Sequence, residues 1–131
     1  MDIKLINSNF LKIEAERNPD FSGKLKLKTN INIKSVEKLE KSKDILKVSY
    51  IYEINYLDLG KIIITGNLFL KGDGKTIKNI IKKQEEKDYN SEETILIMNL
   101  IIQKASLRAL QIEEELGLPI HIKLPSLSTK K

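Results

Sequence analysis

The chain has 131 residues, of which 40% are hydrophobic, and it contains no cysteine. At roughly 100 to 200 residues per domain, this length predicts a single domain. The absence of cysteine excludes disulfides, cysteine-ligated metal sites and thiol catalysis, and it favours a reducing compartment. The opening MDIKLINSNF has no apolar run of signal-peptide length. We therefore expect a cytoplasmic protein without membrane insertion.

Four stretches in the first half alternate apolar and polar residues, which is the pattern of half-buried strands. The clearest is KLKLKTNINIK at residues 24–34. The predicted strands cover about residues 9–17, 23–35, 44–57 and 60–71, and the charged stretch 35–44 is interpreted as an exposed connection. The fourth strand is apolar on both faces near its start, which predicts a central position in the sheet. Gly66 within it indicates a bulge or the close approach of another backbone.

A change to helical periodicity follows the GDG breaker at residues 72–74. It predicts helices at about residues 75–88 and 91–116, with Asn90 as the N-cap of the second helix and Glu93 at its capping-box position. Gly117 and Pro119 stop that helix, and an extended, Pro-containing tail is expected over residues 118–131. The first half of the long helix, TILIMNLIIQ, is apolar nearly all round. We therefore expect a second subunit to cover part of it.

Side chains suited to catalysis or metal binding are sparse. His121 is the only histidine, and one histidine without cysteine cannot build a zinc site, so it is interpreted as a partly exposed or packed residue. Glu113, Glu114 and Glu115 point in different directions on a helix and are interpreted as a solvated helix end. KGDGKT at residues 71–76 lacks the full spacing of a phosphate-binding loop and is interpreted as a turn. We expect no enzyme activity, no metal and no cofactor.

Three lysines, Lys24, Lys26 and Lys28, share one face of the second predicted strand. A basic face of this kind can follow a phosphate backbone, although nucleic-acid readers usually add stacking aromatic residues, which this face lacks. Strand lysines also serve as solvated cover against pairing between sheet edges. A nucleic-acid-binding module therefore stands as an alternative function. A structural subunit that docks one dedicated protein partner is another.

Two segments resemble the SecB export chaperones. FLKIEAERNP at residues 10–19 is similar to the family's first strand, with Glu14, Ala15, Asn18 and Pro19 at comparable places. LGLPIHIKLPSL at residues 116–127 is similar to the family's helix end followed by glycine, prolines and an alternating segment. The resemblance covers about residues 8–127. It implies an α+β fold, in which a four-stranded antiparallel sheet is followed by two helices and the long C-terminal helix packs on the sheet or at a subunit interface.

SecB-like proteins are homotetramers that act in protein transport and bind unfolded polypeptides in apolar grooves, without ATP or a cofactor. The resemblance therefore implies polypeptide clients and a homo-oligomer, either a dimer or a tetramer. SecB itself is acidic and docks the export motor SecA through its acidic sheet surface, whereas this chain carries a net charge of +5. Leu127 also replaces the aromatic residue of the family's terminal P-x-x-F pattern. These departures favour a SecB-like protein outside the usual export pathway, such as an archaeal one or one paired with a toxin–antitoxin system.

The resulting prediction is an ATP-independent chaperone, or holdase, that binds unfolded or partly folded polypeptides. The apolar side chains opposite the main strand alternation, and those of the tail, are predicted to contact the client. They are Ile51, Leu57, Leu59, Ile63, Phe69, Leu118, Ile120 and Ile122. The same residues would also suit contacts with the helices or with a neighbouring subunit.

Overall fold

The computed structural model describes residues 3–21, 23, 26–39 and 44–121. It confirms the predicted α+β architecture, in which a four-stranded antiparallel sheet precedes two helices. The elements are β1 (Ile3–Arg17), β2 (Lys28–Lys38), β3 (Ile45–Asn55), β4 (Gly60–Gly72), α1 (Gly74–Glu85) and α2 (Glu92–Leu116), with a short 3-10 turn at Leu57–Leu59.

The strands are ordered β1-β4-β3-β2, and each neighbouring pair is antiparallel. β4 is therefore central, as its two apolar faces predict. Tyr50 of β3 lies opposite Gly66 of β4. A Cβ atom on Gly66 would stand 2.6 Å from the Tyr50 hydroxyl oxygen and 2.7 Å from the Asn9 carbonyl oxygen. Gly66 thus marks a close approach, which is one of the two interpretations that the sequence offers.

Two strands differ in extent from the sequence expectation. β1 begins at Ile3, well before the expected start near residue 9, because its first residues pair with the end of β4. β2 begins at Lys28 and runs to Lys38, so residues 35–38 are part of a strand and not of an exposed connection. Val36 pairs with Val48 across the β2–β3 ladder. Cross-strand pairing here outweighs the charged composition that suggests a loop.

The helices cover one face of the sheet, and the described part of the chain leaves the other face open. The helix-facing residues of β3 and β4 are Leu46, Val48, Tyr50, Tyr52, Ile54, Ile62, Ile64, Leu68 and Leu70, each at most 2% exposed. From α2, a stripe at helical spacing packs against them and consists of Ile97, Ile101, Ala105, Ala109 and Ile112. This layer is the hydrophobic core.

The N-cap of α2 is Ser91 and not the predicted Asn90. Ser91 has extended backbone angles, and its hydroxyl oxygen accepts a hydrogen bond from the Thr94 backbone N–H at 3.1 Å. A hydroxyl at this position satisfies one of the unpaired N–H groups of the first turn. At the other end, Gly117 adopts the left-handed conformation with φ 68°, which confirms the predicted stop.

A single chain leaves several large apolar side chains in contact with water. They are Ile6, Phe10, Leu11 and Ile13 on β1 and Ile95, Ile102 and Leu107 on α2, each at least 37% exposed. By length and composition alone, α2 is long and apolar enough to cross a membrane. The core helix of a globular domain can also meet these two criteria. In this structure one stripe of α2 packs on the sheet while other apolar positions of the same helix remain uncovered.

Candidate functional site in the groove beside the C-terminal helix

An open apolar recess lies between β2 and α2. Its volume is about 270 Å³, and it is lined by Ile31, Asn32, Ile33, Tyr89 and Met98. Ile31 and Ile33 are alternate residues of β2 on the helix-facing side, and Tyr89, 53% exposed, comes from the connection between the helices. Apolar walls with few polar groups are typical of surfaces that bind apolar ligands.

A second, smaller recess lies towards the other end of the same side of β2. Its volume is about 160 Å³, and it is lined by Lys26, Leu27, Tyr56 and Pro119. Between the two recesses, Ile31 pairs with Tyr52 of β3, and Tyr52 in turn meets the imidazole of His121. Those two rings are edge-on, with centroids 6.0 Å apart. We call the helix-facing side of β2 from Leu27 to Ile33, together with the facing side chains, the β2–α2 groove.

A buried carboxylate stands beside this groove. Glu113 of α2 is fully buried, and its Oε1 accepts a hydrogen bond from His121 Nδ1 at 2.8 Å. Its Oε2 accepts a hydrogen bond from the Tyr56 hydroxyl. Burial raises the pKa of Tyr56 far above its ordinary value, and the hydrogen bond to Glu113 raises that pKa further. Tyr56 therefore stays protonated and serves as a permanent donor to the carboxylate.

A chain of hydroxyl groups continues from the other ring nitrogen of His121. Because a carboxylate oxygen can only accept, Nδ1 carries the hydrogen, and Nε2 forms a hydrogen bond with the Ser106 hydroxyl at 3.3 Å. The Ser106 oxygen also forms a hydrogen bond with the Tyr52 hydroxyl at 2.9 Å. Burial raises the pKa of Tyr52, so its hydroxyl stays protonated. Tyr52, Ser106 and His121 thus form one hydrogen-bonded chain that ends on Glu113.

The order Ser106, His121 and Glu113 matches that of a hydrolytic nucleophile, base and acid. Ser106 is only 6% exposed, however, and neither recess of the groove includes it. Its hydroxyl is also occupied by Tyr52. In the part of the chain that the structure describes, no three His, Asp or Glu side chains converge as metal ligands. The arrangement therefore attaches the residues after α2 to the body of the domain and presents no nucleophile to a substrate.

The predicted client contacts fall in three places. Ile51, Ile63 and Phe69 are half-buried on the open face of the sheet, on the side away from the groove. Leu57 and Ile120 are exposed, at the turn before β4 and after α2. Leu59 and Leu118 are core residues, so they offer no free surface to a client in the folded chain. Ile122 lies outside the described residues. The predicted set therefore does not form one continuous surface.

The lysines of the alternative hypothesis are also separated. Lys28 is exposed on the open-face side of β2, opposite Asn55 of β3, whereas Lys26 borders the smaller recess. Lys24 lies outside the described residues. The cross-strand neighbour of Lys28 is Asn55, which offers no ring for base stacking.

The interpretation of residues 113–115 as a solvated helix end is wrong for Glu113. The signal for its burial is its spacing. Glu113 is seven residues, or two turns, after Ser106 and adjoins Ile112 at the end of the apolar stripe. A Glu at such a position predicts a buried charge that needs a partner, and the histidine that follows the Gly117 reversal supplies it.

Comparison with known proteins identifies the fold. The SecB-like chaperone of Mycobacterium tuberculosis, solved in complex with a ChAD peptide from an antitoxin, superposes with a TM-score of 0.59 at 11% identity, over 96% of this chain and 88% of that one. A protein of unknown function from Streptococcus agalactiae superposes with a TM-score of 0.53 at 8% identity, over 96% of this chain and 98% of that one. The sequence matches no protein-family model and no curated protein. The shared feature is the SecB-like fold.

Proposed function

We propose that this chain is a cytoplasmic, ATP-independent, SecB-like chaperone that holds unfolded or partly folded polypeptides in the β2–α2 groove. The observation that carries the proposal is the position of this groove along an edge strand. β2 pairs only with β3 in the described sheet, so its outer edge beside the recess has no strand partner there, and Gln84 of α1 donates a hydrogen bond to the Ile33 carbonyl oxygen at 3.5 Å. The proposed activity is binding without catalysis.

This arrangement can recognise both the backbone and the apolar side chains of an extended polypeptide. The outer-edge N–H and C=O groups of β2 that have no strand partner can pair with the client backbone as an added strand. Ile31, Ile33, Tyr89 and Met98 form a recess for an apolar side chain of the client. Backbone pairing does not depend on the client sequence, whereas the recess selects apolar segments, which is the selectivity that a holdase needs.

The structural likeness supports a polypeptide ligand. The similar chain from Mycobacterium tuberculosis is named a SecB-like chaperone and was solved with a bound peptide. A fold can carry unrelated functions, so this likeness adds to the groove chemistry and does not replace it.

Ile51, Ile63 and Phe69, on the open face of the sheet, form a second proposed contact surface. Their neighbours across the strands include Thr65, Glu53 and Lys47, so this surface is more polar than the groove. Because the two surfaces lie on opposite sides of the sheet, substitutions can test them separately.

The test measures binding of a fluorescein-labelled, permanently unfolded protein by fluorescence anisotropy. We expect Tyr89→Ser combined with Met98→Ser to weaken binding about tenfold, which corresponds to a loss of about 1.4 kcal/mol. Tyr89→Phe with Met98→Leu is the matched control, because it keeps the apolar lining, and it should bind as the unsubstituted chain does. If only Ile51→Ser with Phe69→Ser weakens binding, the client site is the open face and not the groove.

We further propose that the chain forms a homo-oligomer through the exposed apolar side chains of β1 and α2. Phe10 and Ile13 on β1 and Ile102 and Leu107 on α2 are large apolar residues left in water by a single chain. Exposed apolar surface of this kind marks an interaction site. Light scattering after size exclusion should give a mass of two or four chains, and Leu107→Lys with Ile102→Lys should lower it. A monomeric mass for the unsubstituted chain would contradict this proposal.

A further inference from the structure

A basic surface runs from one corner of the sheet onto the outer side of α1. Lys4, at the start of β1, is the direct cross-strand partner of Lys71, near the end of β4. Both line an open recess of about 610 Å³ that extends to Gly74, the first residue of α1. At 3.6 residues per turn, three lysines of α1 lie within about 60° of one another and span about 10 Å along the helix. We call the five exposed residues the lysine stripe: Lys4, Lys71, Lys75, Lys78 and Lys82.

Local electrostatics disfavours this arrangement in the isolated chain. Like charges directly opposite each other in a strand ladder, such as Lys4 and Lys71, destabilise the pairing. Like charges three or four residues apart on a helix, such as Lys75, Lys78 and Lys82, repel one another in the same way. The first turn of α1 also contains no acidic residue, although the helix dipole favours anions there and disfavours Lys75. The lysine stripe therefore lowers the stability of the chain through three separate effects.

The described carboxylates do not offset this repulsion. Among the described residues, ion pairs join other lysines, such as Lys12 and Lys83, to carboxylates, and none joins a member of the lysine stripe to one. Asp44 and Asp73 line the recess. Asp73 is the N-cap of α1, and its side chain accepts a hydrogen bond from the Thr76 backbone N–H at 2.7 Å. Five lysines thus face two aspartates, which leaves a positive surface that an anionic ligand can neutralise.

The end of the lysine stripe indicates which class of anionic ligand fits it. Glu85 and Glu86 follow Lys82 at the C-terminal end of α1, and both are exposed. A nucleic-acid strand carries a phosphate at every nucleotide, so a strand that continued past Lys82 would meet two carboxylates. An acidic segment of a polypeptide can end opposite Lys82. The stripe also contains no arginine, whose planar fork suits phosphate. These features favour a polypeptide over a nucleic acid.

We propose that the lysine stripe binds an acidic segment of a partner protein, whose carboxylates pair with the lysines of α1 and extend into the recess beside Lys4 and Lys71. This site is additional to the β2–α2 groove. Gln84, which donates to Ile33 of β2, is about 160° around α1 from Lys82, so the two sites lie on opposite sides of the helix. Exposed ion pairs are individually weak, so binding requires several lysines together and decreases as salt rises.

The first experiment measures thermal unfolding and needs no partner. The α1 variant replaces three lysines of the stripe by glutamine, which is an equally good helix former: Lys75→Gln, Lys78→Gln and Lys82→Gln. The matched control removes the same charge from the open face of the sheet: Lys12→Gln, Lys28→Gln and Lys61→Gln. Relief of repulsion should raise the Tm of the α1 variant by about 2–4 °C, and the control should not rise. An unchanged or lower Tm in the α1 variant would mean that these lysines serve the fold, and the inference would be wrong.

The second experiment measures binding of a labelled oligoglutamate peptide at low salt by fluorescence anisotropy. The α1 variant should bind about tenfold more weakly than the unsubstituted chain, whereas the matched control should bind equally. Equal weakening in both variants would show a dependence on net charge alone and would overturn the inference. Tighter binding of an oligonucleotide with the same number of charges, lost in the α1 variant, would also overturn it, because the stripe would then be a nucleic-acid site. The α1 variant should still bind the labelled unfolded protein, so the lysine stripe and the holdase function are tested separately.

Discussion

The Nδ1 atom of His121 lies 2.8 Å from Oε1 of Glu113. Both side chains are buried, although one belongs to a helix and the other to the irregular segment that follows it. Glu113 is part of a regular helix, whereas His121 follows a left-handed glycine and a proline. This contact joins the end of the described chain to the core. It also explains why an acidic residue occurs near the C-terminus of a helix, where the helix dipole favours cations.

Loss of the hydroxyl group should affect the free energy of unfolding differently at Tyr50 of β3 and at Tyr56, which follows β3. The Tyr56 hydroxyl donates to Glu113, so Tyr56→Phe leaves a buried carboxylate short of a donor and should cost about 1–3 kcal/mol of unfolding free energy. The Tyr50 hydroxyl has no hydrogen-bond partner among the described residues, so Tyr50→Phe should be neutral or stabilising. Urea denaturation of the two variants measures the difference. Equal destabilisation by both would contradict the hydrogen-bond assignment.

The stability of the chain should fall at alkaline pH because of Tyr50. Burial raises the pKa of Tyr50 from its ordinary value of 10.0 to about 12. Above pH 10 the unfolded chain loses this proton while the folded chain keeps it, so unfolding releases a proton and stability decreases. The contribution of protonated Tyr50 to the stability of the folded chain is complete below pH 10, and it is lost as the pH rises towards 12. Urea midpoints measured between about pH 9 and 11.5 should decline less steeply in Tyr50→Phe than in the unsubstituted chain.

Gly66 should tolerate no side chain, because the new Cβ would stand 2.7 Å from a backbone carbonyl oxygen and 2.6 Å from the Tyr50 hydroxyl. We expect Gly66→Ala to cost about 1–3 kcal/mol, as overpacked sites do. Gly74→Ala is the control, since a Cβ atom on Gly74, at the start of α1, would meet nothing within 4 Å among the described residues. That variant should gain roughly 0.5–1 kcal/mol from reduced entropy of the unfolded chain. Thermal unfolding of both variants provides the comparison.

Binding of the client should be insensitive to salt, in contrast to binding of nucleic acid. Affinity for a single-stranded oligonucleotide through Lys24, Lys26 and Lys28 would fall by about 0.7 log units per phosphate contact for each tenfold rise in salt. We expect the variant Lys24→Glu with Lys28→Glu, which leaves the Lys26 side chain of the smaller recess in place, to bind an unfolded protein as the unsubstituted chain does. Oligonucleotide binding that is tight at low salt and lost in this variant would favour the alternative function.

The strand and helix pattern can be predicted from the sequence because each element buries one face. The alternation of β3 and the two apolar faces of β4 predict a sheet with β4 inside, which the structure confirms. The interpretation of residues 35–38 as part of an exposed connection is wrong. These charged residues form a strand because they pair with β3, which is a separate segment of the chain. The cap of α2 differs by one residue because Asn90 and Ser91 are both good capping residues, and backbone angles decide between them.

The site can be predicted only in part. The apolar residues of the strands are visible in the sequence, but the sequence does not say which sheet face the helices cover. It therefore singles out Ile51 and Phe69, which lie on the open face, and passes over Ile31 and Ile33, which line the groove. The link between His121 and Glu113 depends on a chain reversal at Gly117, whose direction cannot be deduced from spacing.

We expect the chain to hold unfolded polypeptides without nucleotide. The most direct measurement is light scattering after a chemically denatured test protein is diluted into buffer containing this chain, at low and at high salt. We predict suppression of aggregation at both salt concentrations, and its loss in Tyr89→Ser with Met98→Ser but not in Tyr89→Phe with Met98→Leu. Absence of suppression at any ratio of chain to client would contradict the holdase function.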